Sequence, residues 1–72
     1  MKLEELNNVF TYHSPTLSQV PRYQAIREKA KELAALINDS TPASREQSLA
    51  ITAVQQASMW ANAAIAINET TM

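Results

Sequence analysis

Between Arg22 and Ile37 the apolar residues Ile26, Ala30, Leu33 and Ile37 recur at steps of four, three and four. Those steps return to one side of a helix with 3.6 residues per turn, so the stretch predicts an amphipathic α-helix. Tyr23 joins the same side. At about 100° per residue, Arg27 and Lys31 fall along one margin of the stripe and Arg22 and Lys29 along the other, with Glu28 and Glu32 on the back. Cations therefore line both edges of an apolar side. They can lay their stems over a core, or they can hold something negative against the helix flank.

The main helix is expected from Leu17 to Ile37, with Thr16 and either Ser18 or Gln19 supplying its start and Pro21 tolerated in its first turns. Asn38, Asp39 and Ser40 compete with a helix through their side chains and should end it. A second start follows, either at Thr41 with Pro42 in the first helical position or at Ser44 with Gln47 as a capping box. From Arg45 onward, Leu49, Ala53, Gln56 or Ala57, Trp60, Ala64 and Ile67 make one stripe, and Val54, Ala61 and Ile65 widen it. A helix apolar around so much of its girth must be covered on more than one side. So short a connection forces the two helices to run antiparallel. Before them, Leu3, Leu6, Val9 and Phe10 predict a short helix, too short to stand alone in water. Residues 11–20 form a break at Pro15, and residues 69–72 read as a frayed tail. The expected fold is all-α: a short N-terminal helix plus a long antiparallel hairpin, one domain over residues 1–72.

Composition adds a constraint. At 72 residues the chain is near the lower size limit at which one core outweighs the lost chain entropy. It has no cysteine and one histidine, so neither a disulfide framework nor a thiolate or histidine metal site supports it. Self-association is the remaining support, and a sequence with 46% hydrophobic residues and no glycine suits close helix packing. A helical homo-oligomer is expected. The net charge of −1 argues against binding to a DNA or RNA polymer, which needs a broad basic surface, but leaves room for a ligand with two or three phosphates. No stretch reaches the roughly 20 apolar residues of a membrane span, and MKLEELNNVF is no signal peptide. A soluble, cytoplasmic protein is expected.

Candidate chemistry is sparse. His13 has neither a cysteine nor a nucleophilic serine motif beside it and reads as a turn histidine bonded to nearby backbone. Glu28 and Glu32 lack a histidine at ligand spacing and read as a solvated helix back. No catalytic residue, metal ligand or cofactor is expected. Binding is better supported. In Phe10-Thr11-Tyr12-His13, aromatic rings lie in a break between helices, where Phe10 is the natural core residue. Tyr12 on a loop rim either stacks on a base while a nearby cation meets phosphate, or packs over the hairpin with its hydroxyl wet. Trp60, at helical spacing in an alanine-rich stripe, reads as core or oligomer interface.

The string FTYH at Phe10 to His13, then RYQAIREKAKELAALI, the SREQ start and the ending MWANAAIAINE together resemble a family of small phage anti-CBASS proteins that sequester cyclic oligonucleotide signals. They share a helical hairpin with the sponges that counter Thoeris defence. The resemblance implies a compact homohexamer holding cyclic dinucleotides, such as 3′,3′-cGAMP, between protomers in the host cytoplasm. It implies Tyr12 as the base-stacking ring and a helix cation as phosphate partner, with Arg27 and Lys31 the first candidates and Lys29 behind them. Some members also bind cyclic trinucleotides through an arginine near the end of the last helix. Here Ile67 stands at that place, so such a second site lacks its main phosphate donor. The implied mechanism is stoichiometric capture without degradation. The competing reading is a small oligomeric protein-interaction module with no nucleotide ligand.

Overall fold

The computed structural model describes residues 1–69, which form three α-helices: α1 (Leu3–Phe10), α2 (Val20–Ser40) and α3 (Arg45–Asn68). No strand occurs among the described residues. α2 and α3 make the antiparallel hairpin, with the start of α2 beside the end of α3 and a four-residue turn at the other end.

Local chemistry sets each helix end. α1 carries Glu4 and Glu5 in its first turn, where the helix dipole favours them, and stops at Thr11. There the Thr11 N–H donates to the Asn8 carbonyl and its hydroxyl donates to the Asn7 carbonyl. α2 begins three residues later than Leu17. Leu17 to Gln19 form a turn instead, closed by the Gln19 and Val20 N–H groups donating to the Thr16 carbonyl at 3.0 and 3.2 Å. The Thr16–Gln19 pair is half a capping box: the Thr16 N–H donates to Gln19 Oε1 at 3.0 Å, while the Thr16 hydroxyl turns to Ser18.

At its other end α2 runs through Asn38, Asp39 and Ser40 rather than stopping at Ile37. The cause lies across the turn. Gln47 of α3 donates its amide N–H groups to the Asn38 carbonyl at 3.1 Å and the Thr41 carbonyl at 3.0 Å, supplying partners for carbonyls that the helix end leaves open. The start of α3 is at Ser44, whose hydroxyl oxygen accepts from the Gln47 N–H at 3.1 Å. Of the two possible starts, Ser44 is the one used, with the Gln47 side chain committed to α2.

The seam between the long helices is lined by Tyr23, Ile26, Ala30, Ala34 and Ile37 on α2 and by Val54, Ser58, Ala61 and Ile65 on α3, all half-buried. Leu33, expected in the stripe, lies outward of Ala34. On α3 the sides are exchanged relative to the expected ranking. Val54, Ala61 and Ile65, which merely widened the stripe, face α2, whereas Leu49 and Trp60 lie on the back, Trp60 75% exposed. Ala30, Ala34, Ser58 and Ala61 within the seam let the two backbones approach between its larger residues; Trp60 in their place would hold them apart.

The molecule measures 47 × 29 × 12 Å, and 12 Å is the diameter of a single helix. Its radius of gyration is 15.4 Å, against about 11 Å for a compact domain of this length. A slab one helix thick cannot cover a side chain from both sides. Accordingly no apolar residue among those described is buried, and the buried polar residue is Gln19. Phe10, expected in a core, is 84% exposed. α1 touches the hairpin through a polar contact, Asn8 Nδ2 donating to the Ile67 carbonyl at 2.9 Å, and leaves Leu3 and Phe10 outside.

Candidate functional site

The loop after α1 carries Tyr12 to the open end of the hairpin, and a chain of polar contacts holds it there. Asn8 is the hinge of that chain: its side chain grips the Ile67 carbonyl, and its own carbonyl accepts from His13 Nε2 at 2.8 Å. A carbonyl can only accept, so Nε2 carries the proton. His13 is thus a turn histidine bonded to nearby backbone. Beside it Tyr12 is 82% exposed, on the rim of a concavity of about 190 Å³ walled by His13, Ser14, Thr16, Gln19, Ala66 and Glu69.

Glu69, expected to fray, instead closes the open end of the hairpin. Arg22 grips its carboxylate with both terminal nitrogens, Nη1 donating to Oε2 at 2.9 Å and Nη2 donating to Oε1. The fork geometry of a guanidinium on a carboxylate makes this a directional contact. The hydrogen bond from Arg22, reinforced by its charge and by a hydrogen bond from Gln19, holds the Glu69 carboxyl below the usual glutamate range. The same hydrogen bond raises Arg22 above its already high value. Residues 70–72 of the expected tail lie outside the described residues.

Two grooves flank the α2–α3 seam on opposite faces of the slab. One, of about 300 Å³, has Arg27 and Lys31 at its edge over Ala34, Ile51 and Met59. The other, of about 470 Å³, has Lys29 at its edge over Ile26, Leu33 and Ala57. The two margins read from the helical periodicity are therefore real surfaces. Arg27 and Lys31 come together, one turn apart, and neither is in an ion pair with a described residue. Lys29 is separated from them and paired with Glu32 at 3.2 Å. None of the three cations lines the concavity at Tyr12. Arg27 lies eight residues beyond Gln19, the residue that caps α2, about 12 Å along the helix axis at 1.5 Å per residue.

Sequence reasoning missed Gln19 and Glu69 as parts of this end of the molecule. Arg22 and Glu69 are 47 residues apart, and no local pattern links them. No metal-holding cluster of His, Cys, Asp or Glu occurs among the described residues, and no described helix is long and apolar enough to cross a membrane.

The described residues form an all-α hairpin with unburied apolar faces, two cations on one groove that pair with no described residue, and an exposed aromatic rim. The chain belongs to the Acb2/Tad1 hairpin family: residues 2–66 match the description Acb2/Tad1, hairpin domain. Membership implies an anti-defence sponge role in general terms, as the resemblance had suggested. Neither the curated proteins nor the solved structures contain a match to the chain.

Proposed function

We propose that this protein binds cyclic dinucleotide second messengers such as 3′,3′-cGAMP and withholds them, undegraded, from CBASS effectors in the host cytoplasm. The observation that carries the proposal is the unpaired Arg27–Lys31 pair on an uncovered groove. Two unneutralised cations one helical turn apart suit the phosphates of a small ligand, to which each supplies charge-assisted hydrogen bonds. Tyr12 supplies a face for one base, and Lys29 is held in reserve on the other side of the slab. Ile67 brings no charge to the end of α3, so cyclic trinucleotide is the weaker ligand.

In one chain Tyr12 and Arg27 line different concavities, which suits a site composed from neighbouring copies, and we propose a homohexamer of hairpin domains spanning residues 1–72. Surface area supports association. The chain exposes 5891 Å², whereas a compact monomer of 8.0 kDa exposes about 4,450 Å². The excess, about 1,440 Å² on one chain, is nearly twice the roughly 800 Å² that each partner contributes to a standard protein–protein interface. Copies meeting across a twofold axis would present the same cation twice, matching the two phosphates of a cyclic dinucleotide. Capture then requires no turnover: protein in excess lowers the free signal in proportion to its own concentration and affinity.

The test is calorimetric titration with 3′,3′-cGAMP, followed by chromatography of the ligand recovered after heating. Tight binding with intact ligand is expected. Tyr12→Ala should weaken binding by about 5- to 150-fold, the range for loss of base–aromatic stacking. Arg27→Ala should weaken it similarly, with the sedimentation coefficient unchanged in both. Unchanged affinity in both variants would overturn the site, and no heat with the parent protein would favour the interaction module.

A further inference from the structure

α1 meets the hairpin with its polar side. Asn8, whose side chain donates to the Ile67 carbonyl at 2.9 Å, is half-buried, and every other residue of α1 is exposed. At about 100° per residue, Leu3, Leu6 and Phe10 lie about 140–160° around the helix from Asn8. The bond that anchors α1 therefore also turns its apolar stripe away from the hairpin. The groove over Ile26, Leu33 and Ala57 has the complementary need. Its volume is about 470 Å³, and apart from Lys29 and Ser58 the side chains lining it are apolar, which suits a hydrocarbon occupant better than a phosphate. Along α3 it runs from Ala53 to Ala61, about 12 Å at 1.5 Å per residue, which is the length of the eight-residue α1.

We infer that α1 of one copy lies in this groove of a second copy, with Leu3, Leu6 and Phe10 against Ile26, Leu33 and Ala57; the inference rests on the self-association proposed above and not on the nucleotide. A chain's own α1 is badly placed to fill its own groove. Ala57, at the middle, lies ten residues before Ile67, about 15 Å along α3, and docking there would break the Asn8 bond and turn the short helix over. A second copy requires neither change. Each chain carries one stripe and one groove, so exchange across a twofold axis fills both grooves and leaves neither stripe in water. Leu3 and Phe10, 71% and 84% exposed, contribute to the surface that the single chain carries beyond a compact monomer, and the exchange covers them. Charge agrees with the fit. Glu5, one turn before Val9 at the margin of the stripe, brings a carboxylate to the edge where Lys29 stands, and the Lys29–Glu32 pair it meets is exposed and weak. The groove with Arg27 and Lys31 is on the opposite face and stays open to an anion.

The chain has no cysteine, so thiol cross-linking reads this contact without background. Leu6→Cys, in the middle of α1, and Ala57→Cys, in the middle of the groove, are made as separate full-length variants, refolded together and treated with a short bis-maleimide. Both positions are central, so either direction of α1 along the groove brings them together. A cross-link joining one copy of each variant is expected. Phe10→Glu, added to the Leu6→Cys chain, should abolish it; alone, it should raise the dissociation constant of self-association by about 30-fold or more, the loss of an interface anchor, with helical circular dichroism unchanged. An oligomer that gives no cross-link between the two variants, or links Leu6→Cys only to itself, would overturn this docking and leave assembly standing. A cross-link formed only within a chain carrying both cysteines would seat α1 on its own groove and overturn it as well. A parent protein that sediments as a monomer at micromolar concentration would overturn both the docking and the assembly.

Discussion

Gln47 joins the two long helices at the closed end of the hairpin, and its removal makes a quantitative test of the fold. Its amide nitrogen lies 3.1 Å from the Asn38 carbonyl, 3.0 Å from the Thr41 carbonyl and 3.1 Å from the Thr41 hydroxyl. Two N–H groups serve these three acceptors, so two bonds are at stake. Each contributes about 0.5–1.5 kcal/mol net, and the exposure of this turn puts both near the lower figure, about 1 kcal/mol together. Gln47→Met removes the donors, keeps the side-chain length, and leaves the backbone N–H to the Ser44 hydroxyl intact. For a domain of this size 1 kcal/mol corresponds to a fall of about 4–8 °C in Tm. Thermal unfolding followed by far-ultraviolet circular dichroism, at matched protomer concentration because the proposed association would add to stability, reads this directly. A fall below about 1 °C would refute the idea that Gln47 carries the extension of α2 through Ser40.

The Arg22–Glu69 pair predicts a pH dependence of definite sign. Because the folded carboxyl lies below its unfolded value, the unfolded chain binds the proton more readily; the pair's contribution is complete above the usual glutamate pKa of about 4.3 and is lost as pH falls through the depressed value. The Tm difference between the parent and Arg22→Gln should therefore shrink on acidification from about pH 6 to pH 3, and a constant difference over that range would contradict it. Trp60→Glu puts a charge on the uncovered back of α3, at a residue that the sequence reads as core or oligomer interface and the fold leaves exposed. If Trp60 anchors a contact, its loss costs about 2 kcal/mol or more per interface, enough to dissociate the assembly at micromolar concentration. An unchanged sedimentation coefficient would remove Trp60 from the interface.

Much of the fold follows from neighbours in sequence. Ser44 with Gln47 is one of the two starts that the sequence offers for α3, and the three-and-four spacing from Ile26 to Ile37 marks α2, because caps and periodicity act within one or two turns. The placing of Arg27 and Lys31 on one margin and Lys29 on the other is equally local, a matter of about 100° per residue. Tyr12, between Phe10 and Pro15, was marked by sequence as a loop aromatic for the same reason.

Tertiary structure decided the rest. Which of two apolar sides of α3 meets α2 depends on volume across the seam, and periodicity cannot rank Val54, Ala61 and Ile65 above Leu49 and Trp60. Phe10 carries every mark of a core residue, yet a slab one helix thick has no interior to receive it. The conversion of Glu69 from an expected tail residue into the partner of Arg22 depends on the register of two antiparallel helices, which side-chain size and the turn at Thr41 to Ser44 set together. Local sequence determines backbone dihedrals within a turn or two. Contacts between distant residues depend on how whole helix faces fit, and that fit exists only once the hairpin has closed.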